Sequence, residues 1–419
     1  MRHDMIRPEA KALLFLQGPH GPFFRRLGDA LADAGHRVYR INLNGGDRLD
    51  WGPGGVDYRG TSDGWPLFLD AFLRDHGITD VILYGDCRAV HRAAHGIAKL
   101  RGCRIHVFEE GYIRPDFLTL EREGVNGNSM LPDDPDWYLA EAARLPPAPV
   151  FDGVPASFQR RARQTIAYNL ATVTGRLRFP FYRSHRPSGA WYEAIGWIGR
   201  RLFSKGDRRQ SEEALRAIGD RPYFCLPMQL SSDHQIRTHS PFEDMTVAIA
   251  FVIRSFAAHA PADTLLVLKR HPLDADLVPY GRIVAREAER SGVGDRVFYL
   301  PEGDVTTLVE RARGVVTVNS TTGTLALRKG IPTAVLGDAV YHMPRITYQG
   351  TLDAFWCNPV APDMTVYDAF CRVLIDRCLV HGGYLSEEGL DVLVRGAMAR
   401  LDGDIALRHD FCGTMIPSR

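Results

Sequence analysis

The stretch ALLFLQGPHGPFFRRLGDALADAGHRVYRINLNGGD, residues 12–47, decides the fold. It opens with an apolar run of strand length, which ends in the turn-rich GPHGP. Apolar side chains then recur at helical spacing from Phe23 to Ala34, where a glycine ends the pattern. A second strand-like segment over 37–43 leads into the glycine-rich NGGD. The pattern predicts strand, helix and strand, which is the building unit of a parallel sheet covered by helices.

The same alternation continues along the chain in two blocks. In the first block, helices are expected over 65–76 and 89–101, with strands over 80–84 and 104–108. The second block starts at residue 223 and ends at 336, with strands expected over 223–226, 265–269, 296–300, 314–318 and 332–336. We therefore expect an α/β, GT-B-like protein, in which two Rossmann-like parallel-sheet domains face each other across a cleft.

These blocks divide the chain into four regions. An N-terminal Rossmann-like domain is expected over 1–150 and a C-terminal Rossmann-like domain over 220–350. Residues 151–219 are expected to form a basic helical insertion, and residues 351–419 a helical tail.

Composition limits the class of protein. The chain has 419 residues, 45% of them hydrophobic and 24% charged, which is typical of a folded globular protein. A net charge of +1 gives no bulk attraction to nucleic acid, and no nucleic-acid partner is expected. No apolar stretch reaches the length of a spanning helix, and the seven scattered cysteines are typical of reduced thiols in the cytoplasm. No histidine cluster has the spacing of metal ligands, and no metal or other cofactor is expected.

The region over 159–209 is strongly basic. It holds twelve Lys or Arg and only two acidic residues, with aromatic residues between them. One interpretation is a surface that docks on anionic lipid, with Trp191 and Trp197 at the level of the head groups. The other is a helical segment whose arginines face water or pair with acidic residues elsewhere, and the sequence leaves both open.

Two segments of the second block are typical of phosphate binding. Lys269, Arg270 and His271 follow an apolar strand, and the polar run 319–322 opens a helix after another strand. Backbone N–H groups at a helix N-terminus attract anions, and ligands bind at the carboxyl ends of parallel strands. A solvated strand end and an ordinary N-cap cluster are the alternatives. The second segment consists of Asn319, Ser320, Thr321 and Thr322.

Three carboxylates also stand after predicted strands. Glu109 and Glu110 end the strand over 104–108, and Asp233 follows the strand over 223–226. A carboxylate from each domain suits glycosyl transfer, whereas local capping, an ion pair with a nearby arginine or an Asx turn would be structural roles. Further candidates for substrate binding lie at the ends of the first-block strands: Gln17, Gly18, Arg88 and Arg114.

In combination, these motifs resemble the capsular polysaccharide biosynthesis and export proteins of the KpsS/LipB type. The resemblance spans about residues 12–337. It rests on FLQGP and GPFF within 15–24, INLNGGD at 41–47, YGDCR at 84–88 with His91, FEEGYIRP at 108–115, GVN at 124–126, KxHP from Lys269 and STxG from Ser320.

The resemblance implies a retaining β-Kdo glycosyltransferase that uses CMP-Kdo. Such enzymes start the Kdo linker on lyso-phosphatidylglycerol at the inner face of the inner membrane, with other capsule assembly and export proteins as possible partners. By similarity, Glu109 takes the place of the glutamate in the Glu-Glu-Gly motif. Asp233 takes the place of the proposed nucleophile, and His271 that of the His-Pro histidine.

The chemistry of the residues agrees with this interpretation. CMP leaves without protonation, so positive charge on its phosphate is needed, which Lys269, His271 and the 320–322 segment can supply. Asp233 can act as the nucleophile, and Glu109 or Glu110 as the base for the acceptor hydroxyl. Two alternatives remain: a GT-B-type transferase or epimerase for another nucleotide sugar, and a non-catalytic capsule-export scaffold.

Overall fold

Two β-sheets, each covered by helices on both faces, form the fold. The computed structural model describes residues 10–147, 149–184, 205–230, 234–272, 274 and 277–402. The predicted α/β architecture with two Rossmann-like sheets is confirmed.

The N-terminal sheet has seven strands in the order β12-β6-β5-β4-β1-β2-β3. Strands β1 to β5 run parallel, as predicted for β1, β2, β4 and β5, and the two-residue β3 was not predicted. The two strands beyond β5 were not predicted. Strand β6 returns directly from β5 and is antiparallel to it, and β12, from the C-terminal region, is antiparallel to β6. The strands are β1 (Ala12–Phe15), β2 (Arg37–Asn42), β3 (Val56–Asp57), β4 (Asp80–Tyr84), β5 (Arg104–Glu110), β6 (Phe117–Arg122) and β12 (Leu379–His381).

The C-terminal sheet has five parallel strands in the order β11-β10-β7-β8-β9. All five predicted strands are present within one or two residues of their expected ends. They are β7 (Tyr223–Pro227), β8 (Leu265–Lys269), β9 (Val297–Leu300), β10 (Gly314–Thr317) and β11 (Thr333–Val335).

Helices α1 to α7 lie between β1 and β7. The NGGD segment, expected as a loop, starts α2, because the Asn44 side chain accepts a hydrogen bond from the Asp47 N–H at 2.8 Å and so caps the helix. These helices are α1 (Phe23–Asp33), α2 (Gly45–Trp51), α3 (Trp65–Asp75), α4 (Ala89–Leu100), α5 (Pro135–Arg144), α6 (Phe158–Thr174) and α7 (205–218). Short 3-10 turns cover Asn126–Asn128 and Gly175–Leu177.

Helices α8 to α15 belong to the second half of the chain. The segment between β7 and α9 contains the short helix α8. The helices are α8 (His234–Thr238), α9 (Met245–His259), α10 (Tyr280–Arg290), α11 (Val305–Glu310), α12 (Thr322–Arg328), α13 (Leu352–Phe355), α14 (Met364–Arg377) and α15 (Glu387–Asp402).

The C-terminal region returns to the N-terminal sheet. It was expected to be helical throughout, but β12 extends the sheet beside β6. Helix α14 packs against α5, and α15 packs against α1 with Leu390, Leu393 and Ala397 buried. Burial of these apolar side chains drives the return, and it brings Tyr384 next to the end of β5. The final residues, 403–419, lie outside the described part of the chain.

The two described helices of the basic region pack on different sheets. Helix α6 packs against α2 of the N-terminal half. Helix α7 contacts the C-terminal half, where the Ser211 hydroxyl accepts a hydrogen bond from the Glu302 N–H at 2.9 Å. Residues 185–204, which include Trp191, Trp197, Arg200 and Arg201, lie outside the described residues.

Candidate active site

Glu109 ends β5 on the sheet face that α3 and α4 cover. It follows Ile105 and Val107, which are buried in the core of that face. One of its oxygens accepts a hydrogen bond from the Glu110 N–H at 3.0 Å. Burial raises the pKa of Glu109 to about 7, and the neighbouring Glu110 charge adds to the rise, against the opposing effects of that N–H and of Arg88. Glu109 is thus a carboxyl group that exchanges its proton near neutral pH.

Glu110 lies on the opposite face of the same strand end. Its carboxylate accepts a hydrogen bond from the Tyr384 hydroxyl, and the guanidinium groups of Arg114 and Arg161 lie 3.8 and 3.7 Å away. Burial works to raise the pKa of Glu110, but the two arginines and the hydroxyls of Tyr384 and Tyr84 outweigh it and hold the pKa below its ordinary value. Glu110 is therefore ionised at neutral pH, and Arg114 is placed as its ion-pair partner.

Adjacent carboxyl groups whose pKa values move apart suit different roles. A general base works best when its pKa lies near the operating pH, and that is the condition of Glu109. Glu110 is held by partners on several sides, which suits a fixed charge. Of Glu109 and Glu110, the two residues predicted as the base, Glu109 thus has the pKa that suits this role.

Arg88 lies close enough to Glu109 for its charge to lower the pKa of that residue, and it also contacts Gln17, two residues after β1. The Arg88 guanidinium donates to Gln17 Oε1 at 2.8 Å. Gln17 is buried, and its amide nitrogen donates to the hydroxyl of Tyr168 at 3.0 Å and lies 3.3 Å from both oxygens of Asp47. Gln17, predicted to bind substrate, is therefore engaged within the protein at both ends of its amide.

The network around Gln17 fastens α6 to the sheet. Tyr168 of α6 donates to Asp47 at 2.9 Å and accepts from the Asn44 amide at 2.9 Å. Close helix contact requires glycine here, since a Cβ on Gly45 would lie 2.0 Å from the carbonyl oxygen of Ala171. The roles of Tyr168 and Asp47 were not predicted from the sequence. The adjacent glycines Gly45 and Gly46 are the sequence signal that could have indicated this close contact. Gly18, another predicted substrate-binding residue, packs directly against the ring of Phe24.

A small, partly open cavity lies between the two halves of the molecule. Tyr112 and Asn126 line it from the N-terminal half, just beyond β5 and β6. The residues from the C-terminal half follow β10 and β11, so the carboxyl ends of both sheets meet here. They are Asn319, Thr321, Asp338, Ala339, Val340 and Tyr341.

Tyr112 is held firmly in the wall of this cavity. Its hydroxyl donates to the buried Glu121 at 2.5 Å and accepts from the Asn126 N–H at 2.6 Å. Its carbonyl oxygen accepts a hydrogen bond from the Thr324 hydroxyl at 3.0 Å, which joins the two halves. Tyr112 comes three residues after Glu109, so the cavity wall and the candidate base belong to one short segment.

A second contact between the halves involves Cys87 and His239. Cys87 Sγ lies 3.2 Å from His239 Nε2, and both residues are buried. Burial raises the pKa of the Cys87 thiol far above its ordinary value, with the nearby Asp86 charge adding to the rise. A neutral buried thiol is a poor nucleophile, so this pair holds the two halves together rather than reacting.

Two residues of the predicted polar segment after β10, Asn319 and Thr321, line the cavity. Asn319 exchanges hydrogen bonds with Gln229 at 2.8 and 3.1 Å, and its amide donates to the His239 carbonyl at 3.2 Å. The Ser320 hydroxyl accepts from the Thr322 N–H at 3.2 Å, while Thr321 faces the cavity. The segment joins β7, β10 and the start of α12 into one preorganised edge.

The three predicted cations after β8 differ in how deeply they are buried. Lys269 is buried, and its ammonium group donates to the carbonyl of Arg270 at 2.7 Å. Arg270 is also buried, and it pairs with Asp207 of α7 at 2.5 Å. Both side chains thus bond within the protein, and phosphate contact by either one would require a rearrangement. His271 is half-buried at the surface of this strand end.

Asp233, the predicted nucleophile, lies outside the described residues, between β7 and α8. Its role stays a prediction. In the described part of the chain, no three His, Cys, Asp or Glu side chains form a group able to hold a metal ion. None of the described helices has both the length and the apolar character to cross a membrane.

Several arginines of the basic region pair with acidic residues from other parts of the chain. Arg160 contacts Glu387 at 2.6 Å, Arg161 lies near Glu110, and Arg178 pairs with Asp57. The structural interpretation of the basic region therefore holds for these three arginines.

Comparison with known proteins identifies the family. The model described as "Capsule polysaccharide biosynthesis protein" matches residues 79–384. The chain is 35% identical over 380 residues to the capsule polysaccharide export protein KpsS of Escherichia coli, covering 89% of this chain and 97% of that protein. It is 33% identical over 391 residues to the capsule polysaccharide modification protein LipB of Neisseria meningitidis serogroup A, covering 90% and 92%.

Among solved structures, KpsC of Thermosulfurimonas dismutans, a β-Kdo 2,7 transferase, aligns with 86% of this chain and 89% of its own. The TM-score is 0.43 and the sequence identity 13%. The family model covers most of the chain, and the two relatives align over nearly their whole length. The predicted family is thus confirmed: the chain belongs to the capsule polysaccharide biosynthesis proteins.

Proposed function

We propose that the protein is a retaining β-Kdo glycosyltransferase. It transfers Kdo from CMP-Kdo to lyso-phosphatidylglycerol and so starts the poly-Kdo linker in capsular polysaccharide biosynthesis. Family membership supports a role in capsule synthesis, and the sequence motifs support the choice of sugar. The reaction needs no metal or other cofactor, since CMP is a good leaving group.

One observation of the geometry carries the proposal. Glu109, with a pKa raised to about 7 by burial, stands at the carboxyl end of β5, three residues before a wall of the cavity between the two halves. A base with this pKa can take the proton of an acceptor hydroxyl at neutral pH. Burial also raises the pKa of Asp50 and Glu121 to about 7, so what distinguishes Glu109 is its position at the carboxyl end of a parallel strand, three residues before Tyr112 of the cavity wall.

The donor side of the reaction is assigned to the C-terminal half. Thr321 and Asn319 line the cavity at the ends of β10 and its neighbours, where a nucleotide phosphate can accept hydrogen bonds from hydroxyl and amide groups. His271 is the cation best placed to approach that phosphate, because Lys269 and Arg270 are buried. These contacts would stabilise the negative charge that grows on CMP as it leaves.

The proposed reaction has two steps. In the first, the Asp233 carboxylate attacks the anomeric carbon of Kdo, the bond from that carbon to the phosphate oxygen breaks, and CMP leaves with the electron pair. In the second, the acceptor hydroxyl gives its proton to Glu109 and its oxygen attacks the same carbon, which frees Asp233. Two inversions at one carbon retain the configuration.

The acceptor defines where the protein works. A lysophospholipid lies in a bilayer, so we place the protein on the cytoplasmic side, peripheral on the inner face of the inner membrane. Other capsule assembly and export proteins are proposed partners, since the product lipid must be passed on for extension.

The experiment uses the purified full chain with CMP-Kdo generated in situ and lyso-phosphatidylglycerol. We expect mass spectrometry to show a lipid that has gained one Kdo, together with release of CMP. Transfer from another nucleotide sugar, or epimerisation of one, would replace the proposal by the corresponding alternative. Binding of lipid or polysaccharide with no turnover of any donor would favour the scaffold.

A matched pair of variants tests the role of the base. Glu109→Gln should abolish transfer while keeping affinity for CMP, because it removes the proton acceptor and leaves the C-terminal half unchanged. Glu110→Gln, at the next position on the same strand, should keep most of the activity. Equal losses in the two variants would contradict the assignment of Glu109 as the base.

A further inference from the structure

The outer face of α6 exposes a row of aliphatic side chains. Ile166 is 66% exposed, Leu170 62% and Val173 44%, and Leu177 in the following turn is 98% exposed. Spacings of four, three and four residues place them on one side of the helix. Four exposed aliphatic residues in one row are more than the scattered apolar residues of an ordinary surface.

Exposed arginines accompany this row. Arg163, Arg176 and Arg183 are exposed, and none of the ion pairs found among the described residues involves them. The segment 153–184 contains six arginines and no acidic residue. The arginines that do pair, such as Arg160 and Arg161, lie on other sides of α6. Arg163 precedes Ile166 by three residues and so lies on the same side of α6, whereas Arg176 and Arg183 follow the helix. We call the aliphatic row and these three arginines the α6 outer face.

We propose that the α6 outer face docks the protein on an anionic bilayer. The aliphatic row would lie among the acyl chains at the boundary of the head groups, and the arginines would contact lipid phosphates. Both features are needed for the assignment. An acidic soluble partner leaves the aliphatic row unexplained, and an apolar protein partner leaves the unpaired charge unexplained.

The opposite side of α6 contacts Glu110, which is next to the candidate base Glu109 at the end of β5. Arg161 lies 3.7 Å from Glu110, and Tyr168 bonds to Asp47 of the buried network. A helix with its side chains is about 10–12 Å across. Docking through the outer face therefore brings the bilayer within about one helix diameter of Glu110. The reason for docking rests on the proposed function, in which the acceptor is a lipid. The position of the docking surface rests on the exposed residues.

Flotation with liposomes tests the docking. The full chain is mixed with vesicles of phosphatidylcholine alone or of phosphatidylcholine with phosphatidylglycerol, at low and high salt. We expect binding to the anionic vesicles only, with a marked loss at high salt. Equal recovery on neutral and anionic vesicles, or no recovery on either, would overturn the proposal.

Two triple variants locate the surface. Arg163→Gln, Arg176→Gln and Arg183→Gln together should weaken binding at low salt by about a hundredfold, since each basic residue contributes about fivefold. Ile166→Gln, Leu170→Gln and Leu177→Gln together should also lower binding by at least about tenfold. Unchanged flotation of either triple variant would overturn the assignment of this face.

Matched controls use other exposed residues. Leu67 and Leu100, which are 79% and 89% exposed on α3 and α4, are changed together to Gln as the apolar control. Arg282, Arg286 and Arg290, exposed on α10, are changed together to Gln as the charge control. Both controls should bind like the wild type. A control that lost as much binding as its matched triple variant would overturn the proposal.

Activity measurements separate this inference from the proposed function. If the triple variants lose transfer to acceptor lipid in vesicles but keep transfer to acceptor dispersed in detergent, docking is supported. Transfer to dispersed acceptor without vesicle binding by the wild type overturns docking and leaves the proposed function standing. Vesicle binding with no transfer to any acceptor overturns the proposed function instead. If the aliphatic triple variant only converts a dimer into a monomer, the face is an interface between two copies and docking is overturned.

Discussion

Glu109 and Glu110 are neighbours on β5, yet their carboxyl groups lie on opposite faces of the sheet and their pKa values move in opposite directions. The alternation of side chains along a strand separates them. Glu109 enters a buried environment beside another negative charge, whereas Glu110 meets two arginines and two tyrosine hydroxyls. A pair of identical residues thus supplies one titrating group and one fixed charge.

The pH dependence of transfer should report the pKa of Glu109. The base acts only when it is deprotonated, so kcat/KM should rise with pH and level off above about 7. Below that value the rate should fall about tenfold for each pH unit. The Glu110→Gln variant should keep this rise of kcat/KM with pH, shifted to lower pH because the Glu110 charge no longer raises the pKa of Glu109. If the residual activity of Glu109→Gln showed the same pH dependence of kcat/KM, the titrating group would be a different residue.

Stability should respond to the two substitutions in opposite directions. The folded pKa of Glu109, about 7, lies above its ordinary 4.5, so the stability that its protonation gives is complete below pH 4.5 and is lost as the pH rises through 7. Glu109→Gln should therefore be more stable than the wild type, by about 1 kcal/mol at pH 5 and about 3 kcal/mol at pH 8.5.

Glu110→Gln should show the reverse. The folded pKa of Glu110 lies below its ordinary value, so its charge stabilises the fold at neutral pH, and this stability is lost as the pH falls through the folded pKa. The variant should be less stable than the wild type at pH 8.5, with a smaller difference in acid. Urea unfolding of both variants at the two pH values checks the pair, and shifts of the same sign would contradict it.

Asp233→Asn should abolish transfer and keep affinity for CMP and the fold. The amide is nearly the same size as the carboxylate but is a very weak nucleophile, so the loss should affect turnover and not binding. Calorimetry with CMP and the transfer assay measure the two properties separately. Near-normal turnover of the purified variant would show that the nucleophile is a different residue.

His271→Ala and Lys269→Ala should differ in what they damage. Loss of a charge-assisted contact from His271 to the phosphate should weaken binding of CMP-Kdo about ten- to a hundredfold. Lys269 is buried and bonds to a backbone carbonyl, so its truncation should also lower the free energy of unfolding by about 2–3 kcal/mol. Unchanged CMP affinity in both variants would move the nucleotide site elsewhere.

Gly45→Ala should loosen α6 from the sheet. The added methyl group would lie 2.0 Å from the Ala171 carbonyl oxygen, so the two helices must separate, at a cost of about 2 kcal/mol or more in unfolding free energy. Gly96→Ala is the control, because Gly96 is an exposed glycine of α4 with open space around its Cα. It should stabilise the protein by about 0.5–1 kcal/mol. Thermal unfolding compares the two, and equal effects would contradict the close contact.

The sequence by itself determined the two parallel sheets. Strand and helix periods are local properties of the chain, so β1, β2, β4, β5 and all five strands of the second sheet could be predicted from apolar spacing and from the glycines that end each segment. The same patterns placed Glu109, Asn319 and Thr321 at the carboxyl ends of strands. Motifs in fixed order supplied the family, which the comparisons confirm.

Only the tertiary structure decided which partners these residues have. The pKa of Glu109 depends on burial and on Arg88, and that of Glu110 on Tyr384, which is 274 residues away along the chain. Likewise, the arginines of α6 look alike in the sequence, but Arg161 faces Glu110 whereas Arg163 faces solvent. Such contacts join distant segments through packing, and no local pattern encodes them because their energy is gained only when the segments meet.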